Sequence, residues 1–570
     1  MDTAKLELGI IGDFLAGSFI DGRGSVCYNY GNLPKKVGGG GNCQLAFSLI
    51  RNKGENLMKK LMLVSMAVLT GTLVAADLVV QPGETVTIDS DGDYGAILDN
   101  GTLLFADGVK VTAQRFIVAS GDVANVSCVI GKNVKLNVSG TTKFGMDRGW
   151  GDITIGACST VSVVKVGMTV GVSNDRKPTG KTTLTLDRNA QLIGSGTDNT
   201  LIMSEGCQSW TTSGSTAQKK VLSEIVLNEG SSLQFSSVKV TGYPYGRVIF
   251  NGGEIRNNWN TGSTCMIGIA GHWQYKNVGT YLYLTSSNAN DIVLNKTSHA
   301  HSFLARSGDT GYIVFEGDGD VVFTATTRDN GKGYQNKLLI ESRPDDRTTD
   351  KVLFNQKGAV CFKGVACPAM KFYNKDNELG VMTNFFPAAT VLKIGKSAAP
   401  DFNGTVQTVA RVECDGAVSN LSGNVVHFTV TGSETSRIEK VGSNIELIKK
   451  GTGSLTIGKL NDPTVAIDVQ AGAFSVTNTG AFGTLALDAS AATVNLGALA
   501  ANAVGTLALT NYSVGEAPSK LPIAYASVAD RSALKTWTVT LDGEPYTALP
   551  LAAHDHWLWL GQFGLLIFVE

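Results

Sequence analysis

From residue 77 onward, apolar and polar side chains alternate over runs of four to seven residues, and glycine, asparagine or aspartate interrupts each run. A period of two is typical of a half-buried strand, whereas an amphipathic helix repeats about every 3.6 residues. Valine, isoleucine, threonine and phenylalanine fill the runs, and these residues suit a pleated surface. Glycine, asparagine and aspartate tolerate the positive φ angles of tight corners. The pattern predicts an all-β body made of many short strands.

A strand–corner–strand unit recurs, in which the next inward residue follows a strand by about six positions. Ile153–Ile155, for example, leads to Val161. Such units begin at 153, 184, 225, 248 and 313, so their spacing is uneven. A parallel β-helix accepts uneven spacing because each coil carries a loop of its own length. We therefore predict a right-handed parallel β-helix with short irregular coils. Several β-sandwich domains are the alternative, since they contain similar strands.

Composition excludes several classes of protein. The formal net charge is −1, which leaves no electrostatic footprint for nucleic acid. Hydrophobic residues make up 43% of the chain, so wholesale disorder is excluded. Glycine is enriched, with 67 residues in 570 against a usual share of roughly 7%. This excess is expected at the corners between strands.

A secretory signal pattern lies inside the chain. Met58–Lys60 is a short basic segment, Leu61–Leu73 is mostly apolar, and Val74–Ala76 supplies small residues. This is the three-part layout of a signal peptide, with cleavage expected between Ala76 and Asp77. The apolar run is short for a transmembrane helix. We therefore expect residues 58–76 to direct export to the extracellular space or outer cell surface, with no transmembrane anchor beyond the signal peptide.

A signal peptide belongs at an N-terminus, yet residues 1–57 precede this one. We interpret residues 1–57 as a non-native upstream extension and expect translation to begin at Met58. Lys53–Glu55 can be encoded AAA-GGA-GAA, which contains the purine-rich GGAG of a bacterial ribosome-binding site just before the Met58 codon. The alternative is a genuine cytoplasmic extension before an internal membrane anchor.

One segment near the C-terminal third has a recognisable motif. Leu447–Ile457 and Val469–Val476 resemble the two halves of the passenger-associated repeat of bacterial autotransporters. The residues that carry the resemblance are Gly451, Gly453, Leu455, Ile457, Gly472 and Phe474. The resemblance implies a β-helical surface or secreted passenger and implies no chemistry. The family's glycine-bearing strand between the halves is matched only by 464–467, which lacks the glycine.

The resemblance also suggests how the chain is divided into segments. Residues 77–390 are expected to form an irregular solenoid, 391–515 the passenger-like repeats, and 516–570 a β cap. Autotransporters end in a membrane barrel of at least eight strands of about ten residues. The segment 516–570, which follows the last repeat-like unit, is too short for such a barrel. We therefore expect release, or attachment through another protein.

Acidic clusters are candidate sites for the chemistry of polysaccharide lyases or hydrolases, which need paired carboxylates or calcium ligands. Asp345–Asp346 lies between Arg343 and Arg347, and Asp318–Asp320 occupies a short Gly-containing corner. Both pairs are interpreted as loops. Asp89, Asp91 and Asp93 form a denser run that is a weak metal candidate, because no later bidentate glutamate follows. No catalytic residue, firm metal site or cofactor is predicted.

Histidines and cysteines give no firm site. His299/His301 and His554/His556 each have metal-like spacing, but neither pair has a third ligand nearby in sequence. Seven cysteines follow residue 77, and an odd number in a large chain argues against a disulfide scaffold. Cys361 and Cys367 could pair across a corner.

Aromatic residues cluster in the middle of the chain. The cluster contains Tyr243, Tyr245, Trp259, Trp273, Tyr275, Tyr281 and Tyr283. A flat aromatic face on a solenoid can stack on sugar rings, and Trp259 and Trp273 are the expected contacts. The alternative, which we favour, is that these rings fill the core or stack between coils.

These observations favour an exported bacterial surface or secreted β-solenoid with a structural or adhesive display role and no catalysis. Surface glycans, or a host or neighbouring cell surface, are the expected partners, and nucleic acid is not. The alternatives are a polysaccharide-active lyase or hydrolase, or a glycan-binding β-helix protein.

Overall fold

A computed structural model describes two compact units, Met1–Val74 and Ala75–Glu570. In the first unit the described residues are two strands, β1 (Ser18–Ile20) and β2 (Val26–Tyr28), which pair antiparallel. In the second unit the described residues are 75–145, 149–168, 180–196, 199–203, 221–241, 245–257, 265–270, 280–296, 302–307, 311–325, 337–341, 352–363, 367–373, 386–396, 398–402, 404–420, 423–515 and 518–561. Residues 58–74 of the expected signal peptide lie outside the described residues. No helix in the described part of the chain is long and apolar enough to cross a membrane.

The second unit is a stack of parallel strands arranged in rows. The first row, called face A, is a ten-stranded parallel sheet. Its strands are β4 (Thr85–Ile88), β6 (Thr102–Phe105), β8 (Val126–Ile130), β10 (Gly151–Ile155), β12 (Thr182–Leu186), β15 (Val221–Asn228), β18 (Tyr245–Asn251), β21 (Thr280–Ser286), β24 (Gly311–Glu316) and β27 (Val352–Phe354).

The second row, called face B, follows face A in each coil. It begins with β5 (Gly92–Asp99), β7 (Lys110–Val118), β9 (Lys135–Phe144), β11 (Thr160–Met168), β13 (Gln191–Gly194), β16 (Ser232–Phe235), β19 (Glu254–Asn257), β22 (Ile292–Lys296), β25 (Val321–Ala325) and β28 (Val360–Lys363). It continues through β30 (Val391–Ile394), β33 (Arg411–Val418), β35 (Ser436–Val441), β37 (Ser454–Val469), β38 (Gly472–Asp488), β39 (Ala492–Asn495) and β42 (Ser519–Ala524). The long strands also contribute to neighbouring rows.

Two further rows complete the stack. One contains β3 (Leu78–Val80), β14 (Thr200–Met203), β17 (Ser237–Thr241), β20 (Cys265–Ala270), β23 (Ser302–Ser307), β26 (Lys337–Glu341), β29 (Cys367–Tyr373), β31 (Ala398–Asp401), β40 (Ala498–Leu499) and β43 (Ser527–Val528). The other contains β32 (Val406–Val409), β34 (Val426–Val430), β36 (Ile445–Lys449), β41 (Thr506–Thr510) and β44 (Thr538–Leu541).

One inward position of face B repeats without a break along the stack. Each residue at this position pairs with its counterpart in the next coil, and all are buried. The residues are Val111, Leu136, Val161, Leu192, Leu233, Ile255, Leu294, Phe323, Phe362, Ile394, Cys414, Ile438, Ile457 and Val476. We call this set the core row. At about 4.8 Å per step, it extends roughly 60 Å.

The core row decides between the two expected architectures. β-Sandwiches are antiparallel, whereas the strands of this stack pair in parallel from β3 to β44. The all-β parallel solenoid is therefore confirmed, and the β-sandwich alternative was wrong. The right-handed sense of the coil stays a prediction.

The corner between faces A and B depends on residues with positive φ. Successive coils place one such residue there: Gly108, Asn133, Cys158, Asn189, Gly230 and Gly252. From Gly108 to Gly230, the backbone N–H of each donates to a carbonyl of the following coil; Asn133, for example, donates to Ala157 at 3.0 Å. Because left-handed backbone is costly for most L-residues, glycine and asparagine are expected at this corner. Cys158, at φ +59°, is the exception.

The last described strands reverse direction. A 3-10 helix (Arg531–Thr536) precedes β44, and β44 pairs antiparallel with β45 (Glu544–Pro545). β46 (Leu551–His554) and β47 (Trp557–Leu560) form an antiparallel hairpin. β47 also pairs antiparallel with β42. These antiparallel strands follow the parallel series, and the β cap expected over 516–570 stays a prediction.

Candidate functional site

The outer surface of face A carries a group of aromatic side chains. In β21 the inward residues are Leu282 and Leu284, so the alternation directs Tyr281 and Tyr283 outward. Tyr312 of β24 is the register partner of Tyr281. The Tyr281 and Tyr312 ring centroids lie 4.6 Å apart, with 15° between the ring planes. Tyr281 and Tyr283 are 5.9 Å apart at 12°. We call these three partly exposed, near-parallel rings the tyrosine platform.

Charged side chains adjoin the tyrosine platform. The Arg247 guanidinium carbon lies 5.6 Å from the Tyr283 ring centroid, within cation–π range. Arg247 Nη2 is also 3.7 Å from Glu316 Oε1. The Thr285 hydroxyl donates to the same Glu316 oxygen at 2.7 Å. The platform therefore has an ion pair and a hydroxyl fixed beside it.

The preceding coil adds a second ion pair to this surface. Glu224 is the register partner of Arg247, and its carboxylate accepts a hydrogen bond from Lys181 Nζ at 2.6 Å. Among the described residues, the two ion pairs on this surface thus contribute two cations and two anions.

The pKa values of two platform phenols are raised. Burial is the main cause for Tyr281, and the neighbouring phenols of Tyr312 and Tyr283 add to it. For Tyr283, burial again comes first, and the Glu316 charge outweighs the opposing effect of Arg247. Both phenols therefore stay protonated at neutral pH, when each can donate and accept a hydrogen bond.

A polar ladder runs along the corner next to face A. Asn228 Nδ2 donates to Asp187 Oδ1 at 3.4 Å, Asn251 Nδ2 to Asn228 Oδ1 at 3.0 Å, and Asn290 Nδ2 to Asn251 Oδ1 at 3.1 Å. An open pocket of about 600 Å³ lies over this ladder, lined by Ala157, Asp187, Arg188, Asn228, Glu229, Asn251, Gly252 and Asn290. Because these side chains form hydrogen bonds from one coil to the next, the ladder stabilises the stacking of the corner.

The same pocket brings together two carboxylates and a basic residue. Asp187 and Arg188 come from one coil and Glu229 from the next. Arg188 Nε lies 3.5 Å from Glu229 Oε2, and both side chains are largely exposed. Sequence analysis did not single out these residues, because a whole coil of the chain separates Arg188 from Glu229.

The Asp318–Asp320 pair does not converge on one site. Asp318 pairs with Lys357 at 2.8 Å, whereas Asp320 Oδ2 accepts from Lys393 Nζ at 2.9 Å and from the Cys361 thiol at 3.3 Å. Burial opposes ionisation of Asp320, but hydrogen bonds from Lys393, Ala359 and Cys361 outweigh it and lower its pKa. The pair therefore stabilises contacts between coils.

Cys361 carries a free, buried thiol, so the pairing of Cys361 with Cys367 considered from sequence was wrong. Burial, followed by the charge of Asp320, raises the pKa of this thiol to about 12. A thiol that stays protonated is a poor nucleophile and metal ligand.

The acidic run at the first corner is also divided among separate partners. Asp91 Oδ1 accepts from the backbone N–H of Lys110 at 2.7 Å, and Asp93 accepts from the Thr112 hydroxyl. Asp89 is exposed at the end of β4. Within the described ranges, no three His, Cys, Asp or Glu side chains form a group that could hold a metal ion.

Several other expected sites lie outside the described residues: Trp259, Trp273, Tyr275, His299, His301, Arg343, Asp345, Asp346 and Arg347. The second histidine pair is described, and its rings have different neighbours. The His554 ring contacts Trp559 edge-on at 6.4 Å, and the His556 ring lies 5.9 Å from Tyr525. The expected cleavage residues Ala76 and Asp77 are exposed.

The repeat motif has a structural explanation. Leu455, Ile457 and Phe474 are buried in the core. A Cβ on Gly451 would lie 2.1 Å from the Gly432 carbonyl oxygen, and one on Gly453 would lie 2.2 Å from that of Glu434. Gly472 has φ +77°, and its Cβ would lie 2.5 Å from the Gly453 oxygen. The motif glycines therefore occur where stacked corners touch through their backbones.

A scan against family models, a search of curated proteins and a search of solved structures returned no match to this chain. Function is therefore inferred from the described surfaces. Sequence analysis placed Tyr281 and Tyr283 in the aromatic cluster and favoured core filling or stacking between coils, and Tyr281 does stack on Tyr312 of the next coil. It did not single out Tyr312, Arg247 or Glu316. The strand alternation of β24 is the signal that could have placed Tyr312 on an outer face.

Proposed function

We propose that this chain is an exported bacterial surface or secreted β-solenoid with a structural or adhesive display role and no catalysis. The unbroken core row is the observation that carries this proposal. A stack whose neighbouring coils share one core forms a stiff support, and its loops can differ in length without interrupting the support. Such a molecule can hold variable loops away from the surface to which it is attached.

Sequence features supply the cellular half of the proposal. The signal-like segment before Asp77 supports export, and the likeness to autotransporter passenger repeats supports a bacterial surface or secreted location. Exposure of Ala76 and Asp77 is compatible with access by a signal peptidase. Surface glycans or a neighbouring cell surface are the proposed partners.

Export can be tested by expressing the complete reading frame in a bacterial host and mapping the N-terminus of the exported protein by mass spectrometry. We expect Asp77 to be the first residue, and we expect Ala76→Arg to block its appearance because signal peptidase requires a small residue there. Recovery of exported protein containing an Ala76–Asp77 peptide would contradict cleavage. Retention of the whole chain inside the cell would contradict export.

The corner pocket favours a second candidate, a polysaccharide-active enzyme. Asp187 and Glu229 supply two carboxylates, which is the number that glycoside hydrolysis uses, and Arg188 adds a cation beside them. The purified chain should be incubated with a panel of plant and bacterial polysaccharides, and reducing ends and unsaturated products measured. We expect no turnover. Turnover that disappears in both Asp187→Asn and Glu229→Gln would replace the display proposal with this enzyme.

A further inference from the structure

We propose that the first coil of the parallel stack accepts a cationic, extended segment of a partner protein, which adds one more strand to the stack. The surface consists of the outer edges of β3 and β4, which we call the open edge. This inference deepens the display proposal by naming an interaction surface and the kind of partner that it fits. It rests on the proposed export, because cleavage before Asp77 would make β3 the first strand of the exported chain.

Within the described part of the chain, β3 and β4 each pair on one side only. β3 pairs with β5, and β4 pairs with β6 as the outermost strand of face A. The Ile88 carbonyl accepts from the backbone N–H of Ala106 in the next coil at 2.8 Å. Successive backbone groups of a strand point to opposite edges, so the N–H and C=O groups of Thr87 point away from the stack. These are the groups with which a further strand would pair.

The inward side chains of this first coil are less buried than those at the same positions one coil further in. Leu78 is partly exposed, whereas its register partner Ile97 is fully buried. Val86 is also partly exposed, and its register partner Leu103 is fully buried. An added strand would cover this apolar surface and extend the core by one step. The open edge therefore offers main-chain pairing and apolar burial together.

The charge of the first coil favours a cationic partner. Residues 75–99 contain no lysine, arginine or histidine. The nearest cations along the chain are Lys110 and Arg115 of β7, which lies one coil further from the open edge. An added strand would lie about 4.8 Å from the first coil and about twice as far from the coil of β7, so the acidic groups dominate. The exposed carboxylates of the first coil are those of Asp77, Glu84, Asp89, Asp91 and Asp93.

A second copy of this chain fits the open edge less well. Two such edges brought together would place like charges opposite one another, which is unfavourable. At the other end of the described stack, β42 is already paired with β47, and β44 with β45. A segment of alternating cationic and apolar residues meets both requirements of the open edge. Its cations would lie beside the carboxylates, and its apolar side chains would cover Leu78 and Val86.

The test is fluorescence anisotropy with a labelled peptide of alternating lysine and valine. The peptide is added to the purified full chain and, once N-terminal mapping has identified it, to the exported form. We expect saturable binding to at least one form, weakened by added salt because ions screen the attraction. A peptide of alternating glutamate and valine should bind about tenfold more weakly or less. A lysine–valine peptide with N-methylated amides should also bind about tenfold more weakly or less, because it lacks main-chain donors.

Variants of the chain locate the site. Thr87→Pro removes the N–H that faces the open edge, leaves the pairing with β6 intact, and should weaken binding about tenfold or more. Glu84→Gln combined with Asp89→Asn removes two carboxylates and should weaken binding about three- to tenfold. The matched control is Asp542→Asn combined with Asp555→Asn, which removes two exposed carboxylates from the antiparallel strands and should leave binding unchanged. Each variant should be compared with the parent by thermal unfolding.

Four outcomes would overturn the inference. The first is absence of binding to every form tested, and the second is equal binding of the N-methylated peptide, which would mean that charge alone is responsible. The third is binding that survives both Thr87→Pro and the double carboxylate substitution, which would place the site elsewhere. The fourth is self-association that Thr87→Pro abolishes, which would assign the open edge to a second copy. None of these results alters the N-terminal mapping, so this inference and the proposed export fail separately.

Discussion

Two regions of the same solenoid differ in how constant the number of residues per coil is. In the irregular region, between Ile153 and Phe354, the length of one coil changes from step to step. At one inward position of face A, the register partners in successive coils are Ile153, Leu184, Ile225 and Val248. The second of these steps is the longest and the third is the shortest. The chain between successive strands of face A therefore varies widely in length in this region.

The regular region, between Phe428 and Leu507, has nearly constant coils. The register partners at one inward position in successive coils are Phe428, Leu447, Ile467 and Leu485, so the coils contain almost equal numbers of residues. The core row continues through both regions, so coil length is independent of core packing. The difference lies in the chain between the strands of successive coils. Glycine backbones touch between coils in both regions, because a Cβ on Gly319 would lie 2.1 Å from the Asn290 carbonyl oxygen and one on Gly451 would lie 2.1 Å from that of Gly432.

The two regions also differ in the surface features that they carry. Coils of variable length, the tyrosine platform and the corner pocket all belong to the irregular region. The regular region has the motif glycines and short corners, which favour stacking.

The largest expected effect tests whether the two regions share one core. Phe323 is a buried member of the core row, and its ring stacks on Phe362 at 5.5 Å and meets Phe315 edge-on at 6.0 Å. Phe323→Ala should lower the free energy of unfolding by about 3–5 kcal/mol, because it removes ring contacts and leaves a cavity. Urea denaturation followed by circular dichroism measures the loss.

The number of unfolding transitions in Phe323→Ala tests whether the two regions unfold together. We expect one shifted transition, since the core row is continuous across the boundary, and we expect Ile457→Ala in the regular region to cost about 2–5 kcal/mol in the same transition. Phe323→Leu is the volume control and should cost less than half as much as Phe323→Ala. Two separate transitions in Phe323→Ala would contradict a shared core and make the regions independent folding units.

The second effect tests the corners of the regular region. Gly472→Ala combines positive φ with a Cβ 2.5 Å from a carbonyl oxygen, and should cost about 2–4 kcal/mol. Gly108, in a coil that precedes the irregular region, has φ +81° but open space around a Cβ, so Gly108→Ala should cost about 1 kcal/mol.

Gly423→Ala is the matched control for both glycine substitutions. It has neither a positive φ nor an atom within 4 Å, and it should leave the unfolding midpoint unchanged. Equal losses in Gly472→Ala and Gly108→Ala would mean that backbone conformation alone decides the cost, and would contradict a steric contribution at Gly472.

The sequence predicts the local structure of both regions well. Alternation at Ile153–Ile155 and the corner before Val161 are both found, and glycine and asparagine occupy the corners for the reason expected. These features depend only on residues a few positions apart. They also distinguish strand from helix without knowledge of any distant partner.

The candidate site was harder to predict because it depends on register between coils. Tyr281 pairs with Tyr312, and Arg247 pairs with Tyr283, across coils of different length. No periodicity in the sequence gives the number of residues that separates each pair. The length of chain between strands sets each offset, and the core does not constrain that length. In the regular region, where successive coils are nearly equal, the same contacts would have been predictable.

The third effect concerns ionisable groups buried in the core. Asp99 pairs in register with Val80 and Val118 and is fully buried. Burial raises its pKa to about 6, against a hydrogen bond from Gly101 that lowers it. Between the ordinary pKa of 3.8 and about 6, the folded state holds more protons than the unfolded state. The free energy of unfolding should therefore fall as pH rises through this window, by on the order of 2–3 kcal/mol.

Asp99→Asn should remove this part of the pH dependence and raise stability at pH 7, as measured by urea denaturation at pH 4, 5, 6 and 7. Lys449, buried between Val430 and Val469, is the counterpart in the regular region. Burial lowers its pKa, so its effect has the opposite sign and lies in the alkaline range below 10.5. Lys449→Met should thus leave the acid slope unchanged. An unaltered acid slope in Asp99→Asn would contradict the assignment to Asp99.

The smallest expected effect concerns the corner between faces A and B in the irregular region. Cys158 has φ +59° there, and the neighbouring coils have Asn133 and Asn189 at the same position. Cys158→Asn should raise the free energy of unfolding by about 0.5–1 kcal/mol, because asparagine tolerates left-handed backbone better than cysteine does. Asn133→Ala is the reverse substitution in the preceding coil and should cost about 1 kcal/mol, which thermal unfolding of the pair of variants can resolve. If Cys158→Asn is neutral while Asn133→Ala is costly, the asparagines act through their side chains rather than through φ. The corner of the irregular region would then be fastened by contacts between coils, as the glycine corners of the regular region are.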